Sequence, residues 1–330
     1  MNTRTLSRVG CILLLIVLGP AIALGQGVAR GRPFATAHVG WTAIQALPFT
    51  ASNSGGYYLS SNLSHSGAGA AITLAGENVT LDLNGFTLTG GGIGSGVETT
   101  ITCVTARVMG GTIRTFAKGV HSTTGWLEAD RLVLDACVDG IDIATGSVRR
   151  VVARNSTQEG VTVNLGVVRE SLATGNNFWG IGVNSGLVRD CVALGNNFYG
   201  FLLLRALGVR LSASANNEEG FVATASVLRG CQSTANDIGF SLRGGSDVAE
   251  CAANANASVG INLPTLDSGT VVRNCASYGG AFWLAGSRYL AVGNSAYTFA
   301  FGSTPNNVFG PIVGQPEIAT STNPHANYIH

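Results

Sequence analysis

Nine glycines recur through the middle of the chain at intervals of 21, 20, 20, 20, 20, 19, 21 and 20 residues. They are Gly119, Gly140, Gly160, Gly180, Gly200, Gly220, Gly239, Gly260 and Gly280. A fixed period near 20 residues is typical of a solenoid, in which each repeat buries its apolar face only against its neighbours. The period therefore predicts a rod of stacked repeats rather than a globular domain.

Each repeat has the pattern of short strands joined by tight turns. Ile181 and Val183 alternate with Gly182, which is the period of a strand with one buried face. The tripeptide NSG that follows is typical of a turn. No repeat contains ten residues of helical periodicity, and no proline occurs between residues 49 and 263, as strands paired on both edges require. We therefore expect an all-β chain folded as a parallel β-helix of about ten rungs.

The composition agrees with this fold and excludes some partners. Charged residues make up 11% of the chain, against a typical quarter, as expected when one face of every strand is buried. Glycine accounts for 46 of 330 residues, as expected when the chain turns a sharp corner several times in each rung. The formal net charge is only +1. A near-neutral chain offers no electrostatic reason to bind nucleic acid or an anionic membrane.

The first 25 residues have the pattern of a secretory signal peptide. Arg4 and Arg8 precede an apolar run over residues 12–18, and small residues lead up to Gly25. The run is short for a transmembrane span. We expect cleavage after about Gly25, no transmembrane segment in the mature chain, and a location outside the cell, at its surface or in the periplasm.

The remaining chain divides into three expected parts. Residues 26–70 are interpreted as an N-terminal cap, residues 71–300 as the β-helix and residues 301–330 as a C-terminal capping tail. The tail contains four prolines, which cannot continue a strand ladder. Caps are expected because open rungs expose unpaired backbone groups.

Several segments resemble a known family. They are LPFTASNSGGYYLSSNL, ITLAGENVTLDLNGFTLTGGG, GGTIRTFAKGV and repeats such as VVRNC and LVRDCVALGNN. They resemble uncharacterised secreted bacterial right-handed parallel β-helix repeat proteins of the pectin-lyase-like superfamily, over roughly residues 45–315. The resemblance implies a right-handed coil. It implies no particular reaction, because the superfamily includes lyases, hydrolases, epimerases, phage tailspikes and adhesive proteins.

Six cysteines follow the expected signal peptide: Cys103, Cys137, Cys191, Cys231, Cys251 and Cys275. Four of them are predicted to share an inward column in which other rungs carry Val151, Ser171 and Ser212. Neighbouring rungs are about 4.8 Å apart, so Cys231–Cys251 or Cys251–Cys275 bridges are open alternatives. The column also accepts valine and serine, which favours stacked buried thiols. No metal or other cofactor is expected, since no Cys or His partner is spaced to complete four ligands.

Asparagines form a second column, which is expected to be a structural ladder at a sharp corner: Asn176, Asn196, Asn216, Asn236 and Asn256. Arginines form a third, outward column: Arg149, Arg169, Arg189, Arg210, Arg229 and Arg273. One interpretation is a charge-balanced corner in which neighbouring carboxylates pair with the arginines. The other is a strip that binds an anionic glycan, since guanidinium groups match carboxylates and sulfates.

Two aromatic residues lie at equivalent turn positions of consecutive rungs. Trp179 and Tyr199 stand where other repeats carry Glu159 or Glu219, so we expect them to be exposed. They either stack on one another or form a platform for a sugar ring. The candidate substrate-binding residues are therefore Trp179, Tyr199, Arg169 and Arg189.

Candidates for catalysis are few. Glycoside hydrolysis needs two carboxylates held about 5–9.5 Å apart, and the only candidates in the repeats are Asp139 and Asp142, with Arg131 as the basic residue that a lyase needs. The chain has none of the motifs GHG, RIK, NTD or WIDH of polygalacturonases and pectate lyases. The leading expectation is a secreted, non-catalytic β-helix that binds an extracellular polysaccharide. The alternatives are a polysaccharide lyase or glycoside hydrolase acting on an acidic glycan, and a structural or adhesive rod with protein partners.

Overall fold

A computed structural model describes residues 38–264, 269–284, 289–296, 298–301, 308–309, 312–313 and 327–329. The expected signal peptide, residues 1–25, and the four prolines of the tail lie outside the described residues. All regular structure in the described part is β-strand, numbered β1 to β36 in chain order. The strands pair in parallel along three faces, and the chain makes about 12 turns of a solenoid. The predicted parallel β-helix is confirmed, with about two rungs more than expected.

Face 1 carries the strands that begin at the recurring glycines, and its central strands β12, β14 and β16 bend to continue onto face 2. Its strands are β2 (Phe49–Ala51), β5 (Ile72–Leu74), β8 (Ser95–Thr99), β10 (Lys118–Ser122), β12 (Asp139–Arg149), β14 (Val161–Arg169), β16 (Ile181–Arg189), β18 (Phe201–Leu204), β21 (Glu219–Thr224), β24 (Ile238–Arg243), β27 (Val259–Leu263), β30 (Ala281–Leu284) and β33 (Phe299–Phe301).

Face 2 follows face 1 in each turn, and its strands β9 and β11 continue onto face 3. Besides the second halves of β12, β14 and β16, its strands are β1 (Thr42–Ile44), β3 (Gly55–Leu59), β6 (Asn78–Asp82), β9 (Thr105–Arg114), β11 (Trp126–Asp135), β19 (Ala206–Val209), β22 (Val227–Arg229), β25 (Asp247–Ala249), β28 (Val271–Arg273), β31 (Leu290–Val292) and β34 (Val308–Phe309).

Face 3 closes each turn and consists mostly of three-residue strands. Besides the second halves of β9 and β11, they are β4 (Leu63–His65), β7 (Thr87–Gly90), β13 (Val152–Arg154), β15 (Leu172–Thr174), β17 (Val192–Leu194), β20 (Ser212–Ser214), β23 (Gln232–Thr234), β26 (Ala252–Asn254), β29 (Ala276–Tyr278), β32 (Ser295–Ala296), β35 (Ile312–Val313) and β36 (Asn327–Ile329).

The interior is built from columns of like side chains. On face 1 a column of buried aliphatic residues continues into three stacked rings, with Phe201 and Phe221 centred 5.0 Å apart and Phe221 and Phe240 centred 4.6 Å apart. The predicted asparagine ladder is confirmed as a buried chain of hydrogen bonds. The six cysteines of residues 103–275 are buried and unbridged.

The turn between Gly200 and Gly220 corrects two column assignments. Arg189 pairs with Val209 and Ala193 with Ala213, so the placement of Arg210 in the arginine column and of Ser212 in the cysteine column is wrong by one residue. The cysteine column continues through buried Leu211. Packing explains this register. A Cβ on Gly208 would lie only 2.6 Å from Leu228 and 3.0 Å from Leu211, because the side chains of these two leucines fill the space that a larger residue at position 208 would occupy.

Strand pairing begins before residue 71. β1 pairs with β3, and β2 and β4 pair with β5 and β7, so residues 42–65 already belong to the three ladders. The division into cap, β-helix and tail at residues 71 and 300 stays a prediction.

Candidate functional site

One column of functional side chains lies at the corner where face 3 turns into face 1. Its members directly precede the recurring glycines and lie on successive rungs. Lys118 pairs with Asp139, and the N–H groups of the following glycines donate hydrogen bonds to the carbonyl of the next member of the column. They are Lys118, Asp139, Glu159, Trp179, Tyr199 and Glu219. The corner therefore carries two aromatic residues, Trp179 and Tyr199, between charged residues on either side along the rod.

A second column points outward from the middle of face 1. Because side chains alternate along a strand, Asp142 projects to solvent between buried Ile141 and Ile143. Its partners on neighbouring rungs project the same way; in order, this column is Glu98, His121, Asp142, Thr162 and Gly182.

The two columns border a groove of about 230 Å³ that is open to solvent. Its lining residues are Asp139, Asp142, Gln158, Glu159, Thr162 and Trp179. The groove therefore brings both predicted acids together with one of the predicted aromatic residues.

Trp179 forms one wall of the groove and is held by three contacts. Its Nε1 donates a hydrogen bond of 3.2 Å to Thr162 Oγ1. Its ring packs over Gly182, where a Cβ would lie 2.7 Å from Nε1. The ring of Phe178 meets it edge-on at a centroid distance of 5.3 Å. The indole is thus fixed beside the carboxylates instead of standing free in solvent.

Asp142 lies next to two basic side chains. Lys118 Nζ donates a hydrogen bond of 2.5 Å to Asp142 Oδ2, and His121 Nε2 lies 3.7 Å from the same oxygen. His121 Nδ1 lies 3.6 Å from Glu98 Oε1. The hydrogen bond from Lys118 fixes the position of the Asp142 side chain.

Glu159 has the opposite environment. Burial raises the pKa of its carboxyl group to about 7, and a hydrogen bond with Asp139 and the charges of Asp139 and Asp142 act in the same direction. One oxygen of Asp139, Oδ1, is buried without a hydrogen-bond partner. Because other acidic side chains lie close to it, the carboxyl group of Glu159 is about half protonated near neutral pH, where an ordinary glutamate is ionised.

The predicted pair of Trp179 and Tyr199 is not the stacked pair. Phe178 and Phe198 stack instead, with centroids 4.8 Å apart and ring planes 7° from parallel. Tyr199 meets Phe198 edge-on at 5.4 Å. Phe178 is the more exposed of these residues, at 38%, whereas Trp179 and Tyr199 are half-buried.

The predicted arginines lie at a different corner. Arg169 and Arg189 end β14 and β16, whereas Trp179 directly precedes the glycine before β16, so the structure does not bring the arginines to the groove. Arg131 also lies at the arginine corner, with Nε 3.4 Å from Asp130, and it is not brought to Asp139 or Asp142.

Ion pairs neutralise most of the arginine corner. Arg150 holds Asp130, which is 1% exposed, with two hydrogen bonds of 2.7 and 2.8 Å from Nη2. Arg189 and Arg210 both contact Asp190. Among the described residues Arg169 has no ion-pair partner. The contacts support the charge-balanced interpretation of this corner.

Sequence reasoning missed three of the six lining residues, Gln158, Glu159 and Thr162, and the two basic neighbours of Asp142, Lys118 and His121. The signal was present, because Lys118, Asp139 and Glu159 each directly precede a recurring glycine in three consecutive repeats. In the part of the chain that the structure describes, no group of three or more His, Cys, Asp or Glu side chains is arranged to hold a metal ion. The same residues contain no helix long and apolar enough to cross a membrane.

Comparison with known proteins defines the fold. No protein-family model matches the sequence, and neither does any curated protein. Among solved structures, the Dettilon tailspike protein aligns with a TM-score of 0.54 and 12% identity over 81% of this chain, but over only 62% of the tailspike chain. The A-module of the mannuronan C-5 epimerase AlgE4 from Azotobacter vinelandii aligns with a TM-score of 0.50 and 15% identity, over 84% of this chain and 91% of that module. The chain therefore has a right-handed parallel β-helix fold, as its sequence motifs implied.

Proposed function

We propose that the groove on face 1 binds a polysaccharide and that the protein works as a polysaccharide-binding β-helix. The observation that carries the proposal is the position of Trp179 beside Asp142, Glu159 and Thr162 in one open groove. A fixed aromatic wall with a few polar groups is the usual composition of a small-molecule site. The indole face offers apolar contact, and the carboxyl and hydroxyl groups offer hydrogen bonds to sugar hydroxyls.

The charge of the groove favours a neutral glycan. Three of its six lining residues are acidic, and the nearest basic side chains, Lys118 and His121, are engaged with Asp142. A polyanion would meet these carboxylates without a free cation to offset them. The paired arginines of the other corner offer little to an anionic glycan either. We therefore prefer a neutral polysaccharide to the acidic one considered from sequence.

The comparisons support a polysaccharide role without specifying one. The AlgE4 module is by its name an epimerase of mannuronan, so the same fold serves a polysaccharide-acting protein. Export of the chain rests on residues 1–25 and remains part of the proposal.

Titration calorimetry with neutral hexasaccharides tests the proposal. The ligands are hexamers of β-1,4-, β-1,3- and α-1,4-linked glucose, of xylose and of N-acetylglucosamine, with hexagalacturonate as the anionic comparison. We expect at least one neutral hexamer to bind and Trp179→Ala to weaken it at least tenfold. Trp126→Ala, which removes an exposed tryptophan on β11 outside the groove, is the matched control and leaves binding unchanged. Absence of binding, or equal losses in the two variants, refutes the groove as the site.

A further inference from the structure

We propose that the groove also hydrolyses the glycosidic bonds of the neutral polysaccharide that it binds, with Glu159 as the proton donor and Asp142 as the base that activates water. The proposal rests on the proposed function, because the substrate must first occupy the groove. The hydrolysis proposal goes beyond the proposed function because it assigns a reaction to the groove and a role to each carboxyl group.

Glu159 has the environment of a general acid. It lines the groove beside Asp139, whose carboxyl group acts to raise the pKa of Glu159. With a pKa of about 7, Glu159 is about half protonated at pH 7, where an ordinary glutamate has lost its proton. A proton donor works best when its pKa is close to the working pH. Asp139 acts as a positioning residue, since its carboxylate keeps the proton on Glu159.

Asp142 supplies the second carboxyl group. Lys118 and His121, both from β10, face its side chain, which lines the groove. A pair of carboxyl groups at one site, one of them with a raised pKa, is the arrangement that acid–base hydrolysis of glycosides requires.

The spacing of the two residues suits a single displacement by water. Asp142 pairs with Thr162 on the next rung, and Glu159 precedes Thr162 by three residues. Their Cα atoms are thus separated by ~10 Å along the strand and ~4.8 Å between rungs. Both side chains line the same groove, and single displacement requires carboxyl groups ~6.5–9.5 Å apart, with room for a water molecule opposite the leaving group.

The reaction then balances with water as the only co-reactant. Glu159 gives its proton to the glycosidic oxygen as the bond from that oxygen to the anomeric carbon breaks. The water oxygen bonds to the anomeric carbon and its proton passes to Asp142. The products are a new reducing end and a free hydroxyl group. Proton exchange with solvent restores Glu159 and Asp142.

Elimination by a lyase has less support in the same groove. It needs a base beside a uronate, with a cation to bind the carboxylate of the sugar. Arg131, the sequence candidate for the basic residue, contacts Asp130 and Met109 at the other corner. Lys118 is already hydrogen-bonded to Asp142.

Incubation of the intact protein with the five neutral hexasaccharides in ¹⁸O-labelled water tests this proposal. Mass spectrometry is expected to detect shorter oligosaccharides that carry one ¹⁸O at the new reducing end, with a rate that declines above pH about 7 as Glu159 ionises. Glu159→Gln and Asp142→Asn are each expected to lower the rate at least 100-fold. Glu170→Gln, the same change at the arginine corner, is expected to leave it unchanged.

The controls separate hydrolysis from binding. Glu159→Gln preserves the shape of the side chain and removes only its ionisation, so its fold and its hexasaccharide affinity are expected to stay within about twofold of wild type. Binding without any ¹⁸O-labelled product, or an unsaturated product instead, overturns hydrolysis and leaves the proposed binding intact. A Glu159→Gln variant with more than half of the wild-type rate overturns the role of Glu159. Loss of binding to all five ligands removes both proposals.

Discussion

The Nε1 of Trp179 donates a hydrogen bond to Thr162, which lies 17 positions earlier in the sequence. Thr162 lies at the start of one coil of the β-helix and Trp179 at its end. The bond therefore ties the two ends of one turn together across the groove wall. A side chain at a corner of a β-helix would otherwise be free to point away from the rod. This contact explains why the aromatic wall is present before any ligand arrives, which lowers the entropy cost of binding.

A methyl group at Gly182 is predicted to displace that wall. In Gly182→Ala the new Cβ would lie 2.7 Å from Nε1 of Trp179, so the indole must move while the strand backbone remains. We expect affinity for the neutral hexasaccharides to drop about fivefold or more, with little change in melting temperature. Gly69→Ala is the control, because a Cβ there meets nothing within 4 Å. If both variants bind like the wild type, the indole position does not matter for binding.

The pKa of Glu159 predicts a pH dependence of stability. Its folded-state pKa, about 7, is raised above the unfolded value of 4.5, so its contribution is fully present below pH 4.5 and is lost as the pH rises through 7. Relative to Glu159→Gln, the wild type is expected to lose on the order of 1 kcal/mol of unfolding free energy between pH 5 and 8, a figure discounted for partial exposure to solvent. Urea unfolding at both pH values measures the difference. Parallel pH curves for the two proteins would contradict the raised pKa.

The asparagine ladder predicts that alanine substitutions at two adjacent asparagines reduce stability by very different amounts. Asn216 Oδ1 accepts hydrogen bonds from both the backbone and the side chain of Asn196, and its Nδ2 donates to Asn236. Asn216→Ala leaves several buried groups unsatisfied and is expected to cost about 3 kcal/mol in urea unfolding. Asn217→Ala removes an exposed side chain that bonds to Asn197 and is expected to cost less than about 0.5 kcal/mol. Equal losses would mean that the ladder does not stabilise the rod.

The buried carboxylate of Asp130 predicts that two arginine substitutions at the same corner differ in their effect on stability. Arg150→Ala removes the two-point contact with Asp130, and Arg107 and Arg131 remain only at 3.4 Å. Because Asp130 is buried, we expect a loss of about 2–4 kcal/mol. Arg169→Ala, at an exposed position without an ion pair among the described residues, is expected to change stability by less than about 0.5 kcal/mol. Thermal unfolding of both variants measures this, and a loss confined to Arg169→Ala would reverse our account of this corner.

The period of the glycines made most of the fold predictable, because each interval places like residues on one another. The columns of Ile181, Asn196 and Arg189 follow from counting alone. Residue type misled us in the turn after Gly200, where it was preferred to the 20-residue spacing that places Gly208 and Ala213 correctly. There Gly208 leaves a space inside the rod that Leu211 fills, and such exchanges of volume between columns depend on three-dimensional packing.

The site was only partly predictable for a related reason. Asp139, Asp142 and Trp179 were recognised separately, but the groove that joins them depends on how side chains of three rungs orient. The protonation of Glu159 depends on burial and on a contact with Asp139, neither of which a spacing reveals. The arginines drew attention because they are charged and periodic, yet their partners are carboxylates of the same corner.

A crystal structure of Glu159→Gln soaked with the neutral hexasaccharide that binds most tightly tests the central claim most directly. We predict a sugar ring packed within about 4 Å of the Trp179 indole, with its hydroxyl groups bonded to Asp142 and to the amide at position 159. Sugar density against Arg169 and Arg189, or on the stacked Phe178 and Phe198, with an empty groove, would contradict the account.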